Sequence, residues 1–195
     1  MVSVPMERLR ERLWPAGEDG ATFALFDGAR DPRVHGLVTR TGLPHRCLYL
    51  GALSPALERA APWIVNLARD SDGTRDLLRL GWGDAWGVYL RANADIAALQ
   101  HHFRRLLRVK DERGRTLLFR FYDPRVLRVY LPTCSTDELR QVFGPVERFV
   151  LEGEEPEHIE ELRFEKGALA QRETRVERRL HWLGDYLRKS RDDDT

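Results

Sequence analysis

Residues 115–132, "RTLLFRFYDPRVLRVYLP", begin as an apolar run and finish in helical spacing, with Asp123-Pro124-Arg125 at the join. The same tripeptide stands at 31–33 in "LFDGARDPRVHGL", again just after an apolar run. Asp at such a junction caps the free N–H groups of a starting helix, and Pro presets φ at its first position. The Arg that follows is placed to pair with that carboxylate. Each stretch therefore reads as a strand that stops, a reversal and a capped helix. Strand ends and helix starts that converge are where an α/β sheet forms its binding crevice.

Outward from this stretch the alternation continues. "TFALFD" (22–27), "RCLYLG" (46–51) and "PWIVNL" (62–67) read as short buried strands, with helices at 31–40 and 54–61 between them. A helix at 73–80, the strand "WGVYLRA" (86–92) and a helix at 93–108 follow. The last is opened by Asn93 and shows Ile96, Leu99, Phe103, Leu106 and Leu107 at helical spacing. "TLLFRFY" (116–122) is expected as a further core strand. Helices at 124–131 and 135–143 come next, the second with Ser135 and Glu138 in capping-box register, and "VERFVL" (146–151) closes the core. A short amphipathic helix at 3–14 precedes them all. Strands alternating with helices predict an α/β fold, a mixed, mostly parallel sheet flanked by helices. A boundary is expected near 152. Residues 1–152 then form the α/β body, and 153–195 a charged C-terminal hairpin/helix extension turning at Lys166 and Gly167, with a helix at about 176–189.

With 42% apolar and 32% charged residues in a chain of 195, the composition is that of a folded protein with a heavily charged surface. The net charge of +1 hides a segregation. Residues 101–128 carry nine Arg or Lys against three acids, and 152–165 carry seven Glu against one Arg. Such opposite fields are either solvated faces or a charged docking surface. Cys47 and Cys134 lack metal-ligand and CxxC spacing, which points to reduced thiols and a cytoplasmic location. No stretch approaches the ~18 uninterrupted apolar residues that span a bilayer, and no membrane partner is expected.

No nucleotide-binding loop, HExxH, GxSxG or CxxC is present, so no cofactor, metal or catalytic residue is assigned. His101 and His102 are adjacent on one helix, point about 100° apart and read as solvent-facing. Asp27, Asp31 and Asp123 form a carboxylate cluster if the first and fifth strands are neighbours, but each sits beside an arginine, as structural ion pairs do. In "GWGDAWGVYLR" (81–91), Trp82 and Trp86 either grip a ligand or partner or plug the end of a core.

"FALFDGARDPR", "CLYLGAL", "AAPWIVNL", the run from "GWGDAWGVYLR" through "FRFYDPRVLRVYLPT", and "VFGPVERFVLE" together resemble the bacterial family called domain of unknown function 4123, over about residues 22–152. The family pattern marks Asp27, Gly28, Arg30, Trp82, Gly83, Trp86, Gly87, Arg120, Tyr122, Asp123, Pro124 and Arg125. The resemblance implies binding without catalysis. It points to an adaptor chaperone of the type VI secretion system that holds a cognate secreted effector and helps load it onto a VgrG or PAAR spike. On that reading Arg104, Arg105 and Arg108 of the basic helix join the marked residues as candidates for protein binding or for fixing the fold. A small hydrolase or transferase using clustered Asp residues is one alternative. A nucleic-acid binder using Arg104, Arg105, Arg108 and Lys110 is the weaker one, since no nucleic-acid signature accompanies the charge.

Overall fold

A computed structural model describes residues 6–110, 113–155 and 157–175. Strands β1 (Ala21–Asp27), β2 (His45–Cys47), β3 (Pro62–Leu67), β4 (Gly87–Ala92), β7 (Val146–Glu152), β8 (His158–Glu165) and β9 (Ala168–Arg175) make one sheet in the order β2-β3-β1-β4-β7-β8-β9. Every neighbouring pair in it is antiparallel. The expected mixed, mostly parallel sheet is thus overturned, although the helices between strands are where the pattern put them.

Helical crossovers do join parallel strands here, but never adjacent ones. β1 and β2 run the same way, linked by α2 (Arg33–Arg40), and β3 lies between them; β3 and β4 run the same way, linked by α4 (Asp72–Gly81), and β1 lies between them. Each inserted strand turns two parallel neighbours into two antiparallel ladders.

Both faces of the sheet are covered. On one, Phe23, Leu25, Leu90 and Phe149 meet α5 (Ile96–Leu106), α6 (Pro124–Tyr130) and α7 (Thr136–Phe143) through Leu99, Phe103, Leu127 and Phe143. On the other, Ala24, Phe26, Trp63 and Tyr89 meet α1 (Met6–Leu13), α2 and α4 through Leu9, Leu13, Val34 and Leu77. Double coverage explains the unbroken apolar runs, since no strand face had to be polar. α3 (Pro55–Ala60), capped by Ser54, buries none of its residues.

Several elements differ from expectation, among them "RCLYLG" (46–51), expected as a buried strand, of which only Arg46 and Cys47 fall in the partly exposed β2. "TLLFRFY" contributes only β6 (Thr116–Leu118), which pairs with β5 (Arg108–Lys110) in a separate two-stranded ribbon, and the chain turns at Phe121 and Tyr122 instead of extending. α5 starts later than expected because Asp95, not Asn93, caps it, its carboxylate accepting the Ala98 N–H at 2.7 Å. β8 and β9 carry the main sheet across residue 152, and their turn falls at Lys166 and Gly167, both with positive φ as a tight hairpin demands. The helix expected at about 176–189 lies outside the described residues.

Candidate functional site

One end of the sheet gathers most of the marked residues: β1 ends there at Asp27, β4 begins there at Gly87, opposite Phe26, and β7 ends there at Glu152. Asp27 is buried and accepts the Ala29 N–H at 3.0 Å and a hydrogen bond from Arg120, whose guanidinium also lies 3.9 Å from Asp123. Asp27 and Asp123 therefore do converge. The turn after β6, not strand pairing, brings them together, and Asp31 stays apart with Arg33. Gly28 and Gly87 are fixed by sterics. A Cβ on Gly28 would overlap the carbonyls of Arg59 and Ala61, and one on Gly87 the carbonyl of Leu25.

The two Asp-Pro-Arg tripeptides are built alike. Asp123 Oδ1 accepts Arg125 N–H (3.0 Å) and Nε–H (2.9 Å), and Oδ2 accepts Nη2–H at 2.7 Å. Asp31 makes the same three bonds with Arg33, at 2.8, 2.9 and 2.7 Å. Burial opposes ionisation of Asp123, but its bonds from Arg125 outweigh it, so the carboxyl titrates below its ordinary range. The tripeptide is a self-contained clip that starts a helix.

Trp82 and Trp86 are both buried, the core role among the two weighed. Trp82 packs 5.7 Å from Tyr89, and the Arg33 guanidinium lies 5.1 Å over Trp86. Tyr122 is buried as well, and that burial raises its phenol. Arg30 reaches across to the Asp84 carbonyl at 2.9 Å. With Arg125, Arg128 and Glu152 it lines a polar cleft of about 460 Å³. Burial pushes Glu152 up to about 7, against bonds from the Gly83 and Ala85 N–H groups that favour its charged form.

A larger groove of about 600 Å³ lies between α5, the segment after β2 and the ribbon. Leu48, Leu53 and Leu107 line it, and Leu50, Leu57 and Leu118 stand at its lips, exposed by 69%, 45% and 53%. Its cationic wall is Arg104 and Arg105 of α5 and Arg108 at the start of β5, with His101 beside them. Among the described residues, no acidic side chain lines the groove. A contiguous apolar surface rimmed by charge marks an interaction site.

The family described as Domain of unknown function (DUF4123) matches residues 22–141. The chain belongs to this family. The DUF4123 match ends inside α7, short of the 152 expected, so β7 and Glu152 lie beyond it while every residue of the groove lies within it. No curated protein and no solved structure matches the chain.

Within the DUF4123 segment the candidates fall into two groups. Asp27, Arg120, Tyr122, Asp123 and Arg125, with Trp82 and Trp86, hold the fold together at one sheet end, and Arg30 ties the 83–85 turn to it. Arg104, Arg105 and Arg108 form the wall of the groove. The leucines facing them were missed, because a leucine in "CLYLGALSPAL" reads as core and only its exposure shows otherwise. His102 is not solvent-facing as expected. It is half-buried, its Nε2 lies 2.9 Å from the Val142 carbonyl, and burial lowers its pKa. The acidic stretch is occupied in part: Glu152, Glu160 and Glu161 are buried, the last two beside Arg128, Arg12 and Arg148.

Proposed function

We propose that this DUF4123 protein is a non-enzymatic adaptor chaperone. It binds a type VI secretion effector in the cytoplasm and helps load it onto a VgrG or PAAR spike. The observation that carries the reading is the groove. A molecule that covers both faces of its sheet leaves three leucines standing beside an arginine stripe that has no ion-pair partner among the described residues, a surface suited to another protein. A rim of charge favours fast encounter and release, which a loading factor needs. The carboxylates that a hydrolase or transferase would use, Asp27 and Asp123, are held by Arg120 and Arg125, which argues for structure over chemistry at that sheet end.

The test is co-purification of the protein with tagged effector and spike proteins encoded beside its gene. Stable recovery with one effector is the expected result. If the protein elutes alone from every pairing, the adaptor reading falls.

A further inference from the structure

The groove has a shape and a charge pattern that select among proteins. Its cationic wall runs along one side, with His101, Arg104 and Arg105 at i, i+3 and i+4 on α5 and Arg108 just past its end at the start of β5. Among the described residues, Arg104, Arg105 and Arg108 have no ion-pair partner, whereas the glutamates of 152–165 that could have answered them within the chain are in part buried beside other arginines. Opposite the wall stand Leu50, Leu57 and Leu118, so a ligand meets cations along one side and aliphatic carbons along the other.

A guest strand is disfavoured. β2 is the edge of the main sheet nearest the groove, and an added strand would need its outward backbone groups; the Cys47 carbonyl already accepts a bond from Gln100 Nε2 at 2.6 Å. α5 thus covers the edge that strand addition would use. A helix makes no such demand, because its backbone is satisfied internally.

We propose that the groove binds one amphipathic helix of the client, with Asp or Glu recurring at i, i+3 or i+4, and i+7 alongside an aliphatic stripe. The carboxylates pair with Arg104, Arg105 and Arg108 while the aliphatic stripe covers Leu50, Leu57 and Leu118. This assignment rests on the adaptor reading and names the part of the client that is held.

The probe is a fluorescein-labelled, capped helical peptide of roughly 18 residues, five turns, carrying Leu in one stripe and Glu beside it. Its control has Lys in place of each Glu. Fluorescence anisotropy measures both against the full chain, the R104E/R105E/R108E variant and L118D. All four substituted side chains are at least partly exposed, and thermal melting of each variant checks that the fold is kept. Saturable binding of the acidic peptide, weakened about tenfold or more by either variant, and no binding of the basic peptide, is the expected result. Equal binding of the two peptides, binding that survives both variants, or no saturable binding of the acidic one overturns the proposal. So does groove-dependent retention on phosphatidylserine vesicles without peptide binding, which would assign the same surface to a membrane. An effector that co-purifies equally with wild type and both variants removes the groove as its seat and leaves the adaptor reading standing; failure of every effector with wild type removes that reading, and the peptide result alone then decides the groove.

Discussion

Asp31 and Asp123 make the same three bonds to the arginine two residues on, but in different surroundings. The Asp123 side chain is 4% exposed and that of Asp31 18%. Asp123 also lies near Arg120 and through it is tied to Asp27, whereas Asp31 answers to Arg33 with Asp84 3.8 Å beyond. Replacing Asp123 by Asn leaves a half-exposed Arg125 without its bidentate partner inside a buried network, at a cost of about 2 kcal/mol. Asp31→Asn should cost clearly less, and urea melts of the two variants side by side read the difference. Asp123 carries a pH signature too. Its folded pKa lies below the ordinary 3.8, so its contribution is full above that value and is lost as pH falls through it towards the folded pKa. Asp123→Asn should flatten the stability profile below about pH 4. Glu152 has the opposite sign. Raised from 4.5 to about 7 by burial, it contributes fully at low pH and loses that contribution as pH rises between those values. Glu152→Gln removes a penalty of up to about 3 kcal/mol, so thermal melting should show the variant more stable than wild type at pH 8 and little changed at pH 4.

At the scale of elements, α1 depends on side chains that come from the sheet. Arg91 on β4 is buried and donates to the carbonyls of Leu13, Glu18 and Gly20, tying the end of α1 and the loop after it to the strand. Its cross-strand neighbour Arg148 on β7 binds the Arg12 carbonyl at 2.9 Å and pairs with Glu18 at 3.2 Å. Arg91→Leu leaves those carbonyls unanswered, a loss of about 2–4 kcal/mol. Amide exchange should then speed up over residues 6–20 before it does in β1 or β4; uniform exchange through both would mean that α1 is held by Leu9 and Leu13 alone. Elements of this kind were legible where a local cause sets them. Ser135 and Glu138 form both bonds of the capping box, and Ser54 caps α3 through the Leu57 N–H. Strand partners were not legible, because the pattern of β1, α2 and β2 is the same whether β3 lies between the strands or elsewhere. Unbroken apolar runs strengthened the parallel expectation for a reason that belongs to helix coverage on both faces. Phe119 to Tyr122 misled in the same way: strand composition runs on, but the chain leaves the ribbon after Phe119 and turns at Phe121 and Tyr122, both of them buried. Of the groove, the arginine stripe could be read from its spacing, whereas the exposure of Leu50 and Leu118 depends on which surfaces the tertiary fold leaves bare.

For the molecule as a whole, the issue is whether residues beyond 152 are an appendage or a wall of the core. β8 pairs with β7 from Arg148 to Glu152 and buries Ile159 on one face of the sheet and Leu162 on the other. It also supplies Glu160 beside Arg128 and Glu161 beside Arg12 and Arg148. A chain ending at Glu152 would expose the outer edge of β7, open both apolar layers and leave the buried Arg148 with Glu18 as its one remaining carboxylate among the described residues. Breaking a buried ion pair by removing one partner costs about 3–5 kcal/mol, a large share of the roughly 5–15 kcal/mol that holds a domain together. A 1–152 chain is therefore expected to lose its cooperative thermal transition and to bind a hydrophobic dye, followed by circular dichroism and dye fluorescence. A cooperative melt close to that of the full chain would instead show that β7 is a sufficient edge and that β8 and β9 are added to a finished body. The same comparison bears on the groove, which is built wholly from residues 48–118 at the other end of the strand order. If 1–152 melts cooperatively and still binds the acidic helical peptide, peptide holding does not require β8 and β9. If it does not fold, β8 and β9 are needed to present a groove they do not line.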